Sequence, residues 1–125
     1  MGLDQFAYRT KKELDSPVDF KIDYSDIEEI EYWRKHPNLH GWMEKLYRDK
    51  GGADEMFNNT PVELTQEDID SLAEALIDFD LPYTTGFFFG QSDTSADQHE
   101  SDLSFCKMAS KSISEGYRVF YDSSW

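Results

Sequence analysis

The stretch Tyr117–Tyr121, YRVFY, decides the predicted fold, because it places a strand near the end of the chain. Aromatic and β-branched residues of this kind favour strands, and Gly116 just before them is suited to end a helix. Near the other end of the chain, Leu3–Tyr8, LDQFAY, also has the pattern of a short strand. Pairing of these two terminal strands would be an economical way to begin an antiparallel sheet.

A second strand and a first helix are predicted next. The segment Val18–Tyr24, VDFKIDY, alternates apolar and charged residues, and this period of two predicts a half-buried strand. Ser25 and Glu28 then have the spacing of a capping box, in which each side chain satisfies a backbone N–H group. We therefore predict a helix over 26–35. It would end at His36, because a residue before proline avoids the α-helical region.

Three more helices are predicted along the rest of the chain. Pro37 suits the first turn of the second helix, and Gly51–Gly52 would end it. Thr65 is placed to cap a third helix, which is predicted from the clear apolar periodicity of the residues that follow. A fourth helix is predicted over about 97–115. The inner face of the second helix is predicted to contain Leu39, Trp42, Met43, Leu46 and Tyr47.

The segment Thr84–Gln91, TTGFFFGQ, places three phenylalanines between two glycines. Its β propensity favours a short strand or a strand-like loop. In an extended run Phe88 would point to the face opposite its two phenylalanine neighbours. That second face must be covered by protein, or it exposes aromatic surface to a partner.

The predicted elements, in order, are two strands, three helices, the GFFFG segment, a fourth helix and a strand. We therefore predict an α+β fold for residues 1–125, a single small domain with about four helices packed on a small antiparallel sheet. The N-terminal, GFFFG and C-terminal strands would form that sheet. A chain of 125 residues is long enough for one hydrophobic core without disulfides or metal.

Acidic residues dominate the composition: 26 Asp or Glu against 12 Lys or Arg give a formal net charge of −14. Residues 51–105 contain 13 acidic residues and no Lys or Arg. Nucleic acid is not expected to bind this region directly, because phosphate contacts need Lys and Arg. The region could instead bind a basic protein, or it could be a solvated surface that keeps the protein soluble.

The cysteine content and the hydropathy of the chain predict its cellular location. The one cysteine, Cys106, excludes an internal disulfide and has apolar neighbours, so we expect a buried thiol in a reducing cytoplasm. The N-terminus lacks the pattern of a signal peptide. No run approaches the ~20 apolar residues of a membrane helix, so no membrane association is expected.

The third predicted helix has an acidic outer face with about one carboxylate per turn. Carboxylates one turn apart are spaced roughly 5–6 Å along the helix axis, which is similar to the spacing of charges along a phosphate backbone. This face could therefore mimic a nucleic acid, or it could simply be the solvated side of an amphipathic helix. The candidate binding residues on it are Glu67, Asp70, Glu74 and Asp78.

An alternative pocket is suggested by residues 31–45, EYWRKHPNLHGWMEK. His36 and His40 are four apart, a spacing that can bind zinc on one helix, but Pro37 intervenes and no third ligand is evident. No metal site and no cofactor are therefore expected. The histidines could instead brace two packed helices, or help to bind an anion or another small molecule. The residues of this alternative pocket are Arg34, His36, His40, Gly86, Phe88 and Gly90.

Catalytic signatures are missing from the sequence. It contains no GxSxG or SxxK motif and no Cys–His neighbourhood. Gly86 and Gly90 have neither the spacing nor the flanking residues of a P-loop or a dinucleotide fingerprint. The sequence therefore favours a non-enzymatic protein without deciding the matter. Trp125, the last residue, would either pack into its own chain or anchor a partner, and packing into its own chain is preferred.

Four segments together resemble a family of small tailed-bacteriophage proteins, including phages of marine bacteria. The segments are MGLDQFAY, EYWRKHPNLHGWME, TGFFFG and VFYDSSW, which cover roughly a third of the chain and lie in order along it. The family has no assigned activity. The resemblance implies a phage origin and a location in the cytoplasm of the infected bacterial host, with the virion as an alternative.

Three functions follow as ranked hypotheses. The first is an accessory protein that binds a basic host or phage protein through its acidic face, with affinity that falls as salt rises. The second is a small-molecule or anion-binding protein or enzyme that uses the alternative pocket. The third is a minor structural protein of the virion. The oligomeric state is left open, with a homodimer as one alternative.

Overall fold

The computed structural model describes residues 2–86 and 89–125. Its elements are β1 (Asp4–Thr10), a 3₁₀ turn (Tyr24–Asp26), β2 (Ile27–Arg34), α1 (Pro37–Asp49), β3 (Val62–Leu64), α2 (Gln66–Ile77), α3 (Ala96–Ser114) and β4 (Arg118–Ser124). The strands of the described part form one antiparallel sheet in the order β2-β1-β4-β3. The predicted α+β class is confirmed, with three α-helices in these residues rather than about four.

The two terminal strands form the centre of the sheet. β1 pairs antiparallel with β4, from Asp4 opposite Ser124 to Thr10 opposite Arg118. The economical pairing of the chain ends is therefore confirmed. Because these two strands are distant in sequence, their pairing requires the segments between them to fold back on the sheet.

The predicted helix over 26–35 is wrong, because Ile27–Arg34 forms strand β2. Hydrogen bonding to β1 pairs one side of its backbone, and Trp33 is buried beneath the helices. The capping-box signal was a weak local preference that this pairing overrode. The side chain of Asp23 instead accepts a hydrogen bond from the N–H of Ser25 and caps the short 3₁₀ turn.

The predicted strand over Val18–Tyr24 is also wrong. Only Val18 makes a ladder contact, an isolated bridge to Val62. The apolar residues of the segment are still partly used, because Val18 and Phe20 are buried. Its alternating pattern therefore reported burial of one side of the chain correctly, but not membership of the sheet.

The described residues of the GFFFG segment, Gly86, Phe89 and Gly90, are not in a strand, so they do not form the predicted third strand of the sheet. Phe87 and Phe88 lie outside the described residues, so the orientation predicted for Phe88 stays a prediction. The N–H of Phe89 donates to the carbonyl of Gly86 in a turn at 3.1 Å. In the described residues the remaining sheet positions are occupied by β2 and by the short strand β3, which pairs with β4.

The later helices form close to where the sequence predicts them. Thr65 accepts from the N–H of Asp68, and the Asp68 carboxylate accepts from the N–H of Thr65, so α2 begins with the predicted capping box. α1 begins at Pro37, and α3 is capped by the side chain of Ser95. The start at Pro37 and the cap at Thr65 depend on neighbouring residues, which is why the sequence could predict them, whereas the cap at Ser95 was not predicted.

The sheet has a helical face and an outer face. Tyr121, Val119 and Trp33 belong to the core beneath the helices. The alternate residues carry an aromatic row on the outer face, where, among the described residues, the segment after Pro17 gives partial cover through Phe20 and its neighbours. The rings of this row belong to Phe6, Tyr8, Tyr32 and Phe120.

Candidate active site

The segment from Thr84 to Ser92 packs against the first turns of α1. The N–H of Thr84 donates to Asn38 Oδ1 at 3.0 Å. A Cβ atom at Gly41 would overlap the Thr84 side chain, so this approach of two chain segments requires glycine. Further along, the Phe89 ring lies 5.0 Å from that of His40. The GFFFG region and the histidine-containing helix therefore converge.

Ser92 lies at the N-terminus of α1, where it contacts His36. Its Oγ atom is 2.9 Å from His36 Nδ1 and accepts a hydrogen bond from the N–H of Asn38 at 3.0 Å. His36 is the N-cap residue of α1, and its own side chain makes no cap hydrogen bond. A hydroxyl oxygen can accept this hydrogen bond and still donate its own hydrogen to the imidazole.

Asp102 of α3 holds the other side of the imidazole. Its Oδ2 atom lies 2.8 Å from His36 Nε2, and the two side chains are 5% and 7% exposed. Its Oδ1 atom accepts from Trp33 Nε1 at 3.1 Å and from Gln98 Nε2 at 2.8 Å. A buried carboxylate needs several such donors to remain charged, and Asp102 has three.

These contacts select one tautomer of His36. Nε2 carries the hydrogen that Asp102 accepts, which leaves the lone pair of Nδ1 to accept from the Ser92 hydroxyl. A hydrogen-bonded serine, imidazole and carboxylate are the groups that can serve as a nucleophile, a general base and an orienting anion. The ring is reversed relative to the usual order, with the serine on Nδ1 and the carboxylate on Nε2.

The backbone of His36 is fixed by β1. The buried amide of Gln5 donates from Nε2 to the His36 carbonyl at 3.0 Å and accepts the His36 N–H on Oε1 at 2.8 Å. The preceding Lys35 has φ of 57° and donates its N–H to the Leu3 carbonyl. A backbone held at both polar groups keeps the imidazole pre-organised between its partners.

The His36–Ser92–Asp102 group lines a cleft of about 140 Å³. That volume is close to the roughly 150 Å³ cavity that accommodates benzene in an engineered protein. The cleft lies between the N-terminal ends of α1 and α3 and the C-terminal end of α2. One wall is apolar, with His99 stacked on Phe79 at 4.6 Å. The other apolar residues of this wall are Leu76 and Leu81.

The described residues of the sequence-predicted pocket lie in different parts of the structure and do not form one pocket. Of those described, His36 alone lines the cleft. Arg34 points to the outer face of the sheet, where its Nη1 atom lies 3.1 Å from Asp4 Oδ1. Gly86 and Gly90 flank the turn at Phe89, and Phe88 lies outside the described residues.

His40 belongs to the core instead of the cleft. Its Nδ1 atom lies 2.7 Å from the hydroxyl of Tyr121, and its ring packs against Phe57 and Phe89. Burial lowers the pKa of His40 to about 4 and raises the pKa of Tyr121 well above its usual value. The alternative that a histidine braces packed elements therefore describes His40.

Sequence reasoning missed Ser92 and Asp102, which lie 56 and 66 residues from His36. No local motif connects positions so far apart. One signal for Asp102 was present, because it falls on the helical face of α3 that also carries Phe105, Cys106 and Ala109. A single carboxylate on an apolar helix face indicates a buried polar partner.

Cys106 is a poor candidate for a nucleophile. The thiol is buried, as predicted, and burial raises its pKa to about 12. A thiol with such a pKa is almost fully protonated at neutral pH and therefore unreactive. Ser92 is the hydroxyl or thiol that the fold places against a histidine in this cleft.

The predicted acidic face of α2 is exposed and adjoins the cleft. Its residues are Glu67, Asp70, Glu74 and Asp78. Large apolar side chains lie at the C-terminal end of α2 and just after it, with Ile77 61%, Phe79 79% and Tyr83 82% exposed. The acidic face, defined by those four carboxylates, therefore borders exposed apolar surface.

Residues 2–86 and 89–125 contain neither a metal-binding cluster nor a helix that could span a membrane. No group of three or more His, Cys, Asp or Glu there has an arrangement that could hold a metal ion. No helix within the same ranges is long and apolar enough to cross a membrane.

Comparison of the chain with protein-family models, with curated proteins and with solved structures found no match.

Proposed function

We propose that the protein is a hydrolase of small esters or thioesters, with Ser92 as nucleophile, His36 as general base and Asp102 as the residue that orients His36. The observation that carries this proposal is the continuous chain of hydrogen bonds from Ser92 through His36 to Asp102 along the wall of a cleft. The sequence alone favoured a non-enzymatic protein, since no motif joins these three residues.

The reaction would proceed through an acyl-serine. Ser92 Oγ attacks the acyl carbon while His36 Nδ1 accepts its proton, and the leaving alcohol or thiol then takes that proton from His36. Water attacks the acyl-serine with His36 again accepting a proton. Release of the carboxylic acid returns the proton to Ser92. The charge on His36 during each step is stabilised by the Asp102 carboxylate.

The surroundings of Ser92 fit this chemistry. The first turn of α1 lies beside its Oγ atom, and the partial positive charge of a helix N-terminus stabilises a developing oxyanion. The apolar wall formed with Phe79 and Leu81 favours a short acyl or aryl group. The small volume of the cleft favours a small substrate group at this position.

The direct test is covalent labelling with a fluorophosphonate, which reacts with activated serines. We expect intact-mass analysis to show a single adduct, and peptide mapping to place it on Ser92. Ser92→Ala should abolish labelling, whereas Ser101→Ala, a change at an exposed serine of α3, should not.

Ser92 also caps α1, so its loss should lower stability by about 1 kcal/mol, and circular dichroism must show that the variant is folded. A folded wild-type protein that gives no adduct on Ser92 would leave the serine with only the capping role and overturn the proposal.

A second candidate function is favoured by the exposed Ile77, Phe79 and Tyr83 beside the acidic face. Here the protein would bind a basic host or phage protein, with the apolar side chains at the centre of the contact and the carboxylates around it. Replacing Glu67, Asp70, Glu74 and Asp78 by their amides should remove salt-sensitive partners from a pull-down out of bacterial lysate. Recovery of the same partners by this variant would exclude the acidic face.

A further inference from the structure

A recess on the outer face of the sheet, opposite the helices and the cleft, has the composition of a cation-binding site. It has a volume of about 340 Å³. Its floor contains Tyr8 and Phe120, whose ring centroids are 5.3 Å apart, and Phe20 meets Phe120 edge-on at 5.1 Å. Tyr24, which is 81% exposed, stands at its rim.

The carboxylate of Asp122 also lines this aromatic recess. It is partly buried, and its Oδ1 atom accepts a hydrogen bond from the N–H of Ser123 at 2.8 Å. No Lys, Arg or His of the described residues forms an ion pair with it. A carboxylate surrounded by aromatic rings loses hydration without gaining a counter-charge, which costs free energy in the absence of a cation.

Two further charged side chains, Lys21 and Glu29, lie near the recess. Lys21 lines it, but it is exposed and has no ion-pair partner in the described part of the chain. Burial raises the pKa of Tyr8 to about 12, and Tyr24, Asp122 and Glu29 add smaller contributions in the same direction. The carboxylates near Tyr8 are therefore negative charges, and Lys21 is an exposed cation with which a cationic ligand would compete.

We propose that the recess formed by Tyr8, Tyr24, Phe120 and Asp122 binds a small quaternary ammonium compound. Aromatic faces attract such cations through their quadrupoles, and the attraction is greater where water is excluded. The carboxylate supplies the counter-charge, and the absence of strong hydration on an alkylated ammonium lets it enter the aromatic surroundings. This site is independent of the proposed hydrolysis, because the sheet separates the two.

Choline is a suitable probe, and 3,3-dimethylbutanol is its neutral counterpart of nearly the same shape. We expect a titration followed by NMR, at constant ionic strength, to shift the ring signals of Tyr8 and Tyr24 with choline. The neutral compound should bind about tenfold more weakly than choline, or too weakly to be detected. Equal binding of both compounds would show a purely apolar recess and overturn the proposal, as would the absence of shifts with choline.

Variants test the residues separately. Asp122→Asn and Tyr24→Ala should each weaken choline binding several-fold, whereas Tyr32→Ala, on the same face but outside the recess, should not. Lys21→Gln should strengthen binding by removing a competing cation. An arginine peptide that binds more tightly than choline would overturn the small-ligand assignment and indicate a protein partner instead.

Discussion

The carboxylate of Asp102 and the imidazole of His36 are joined at 2.8 Å between Oδ2 and Nε2, although 66 residues separate them in the chain. Both side chains are almost completely buried at this contact. The pair connects α3 to the turn before α1. Its chemistry depends on the charge of Asp102, which fixes the hydrogen of His36 on Nε2.

Replacing Asp102 by asparagine should therefore separate charge from shape. The amide of Asp102→Asn can donate to His36 Nε2, which would move the ring hydrogen to Nδ1 and prevent it from accepting the Ser92 proton. We expect fluorophosphonate labelling of Ser92 to slow at least about a hundredfold, with the fold retained by circular dichroism. A labelling rate equal to that of the wild type would exclude an orienting role for Asp102.

His40 should make stability depend on pH. Its folded pKa of about 4 lies below its ordinary value of 6.5, so the unfolded chain binds more protons between these values. The folded state should lose up to about 3 kcal/mol from this group as the pH falls from 6.5 to 4. Urea unfolding of wild type and His40→Gln at several pH values should show this loss in the wild type only.

Asp122 should act in the opposite direction. Burial raises its folded pKa to about 6 from an ordinary 3.8, so the folded chain retains the proton longer. Its contribution is therefore most favourable below pH 3.8 and declines by up to about 3 kcal/mol as the pH rises through 6. Asp122→Asn should consequently be more stable than the wild type at pH 7, and the difference should disappear near pH 4. Lower stability of the variant at pH 7 would contradict this assignment.

Gly41 tests the packing that brings Ser92 to the cleft. Alanine at this helical position would ordinarily stabilise α1 by about 1 kcal/mol, but its methyl group would overlap Thr84. We therefore expect Gly41→Ala to lower the melting temperature and slow Ser92 labelling. Thr84→Gly in the same chain should restore part of both, whereas a stabilised Gly41→Ala would show that the segment is not held there.

Trp125 is packed into its own chain, as preferred from the sequence. Its Nε1–H group donates to the Phe57 carbonyl at 3.2 Å, and its ring meets Phe89 edge-on at 5.0 Å. Trp125→Ala should cost about 2–3 kcal/mol of stability, less than for a fully buried tryptophan. Thermal melting would measure this loss, and sedimentation should show the same oligomeric state for both proteins.

Local signals predicted much of the fold correctly. The Thr65 capping box, Pro37 at the first turn of α1 and the strand propensity near Val119 each depend on neighbouring residues. The same kind of signal was misleading at Ile27–Arg34, where pairing with β1 outweighed a capping preference. Helix caps stabilise by about 1 kcal/mol, and the ladder with β1 together with the burial of Trp33 outweighs that preference.

The sequence by itself determined the α+β class, the start of the later helices and the acidic face of α2, and it identified His36 as a candidate site residue. Only the tertiary structure decided that His36 meets Ser92 and Asp102 while His40 enters the core, and that Asp122 lies among aromatic rings. The physical reason is that periodicity and caps act within a few residues of the chain. The polar contacts of the cleft require α3, the turn before α1 and the segment after α2 to pack together first.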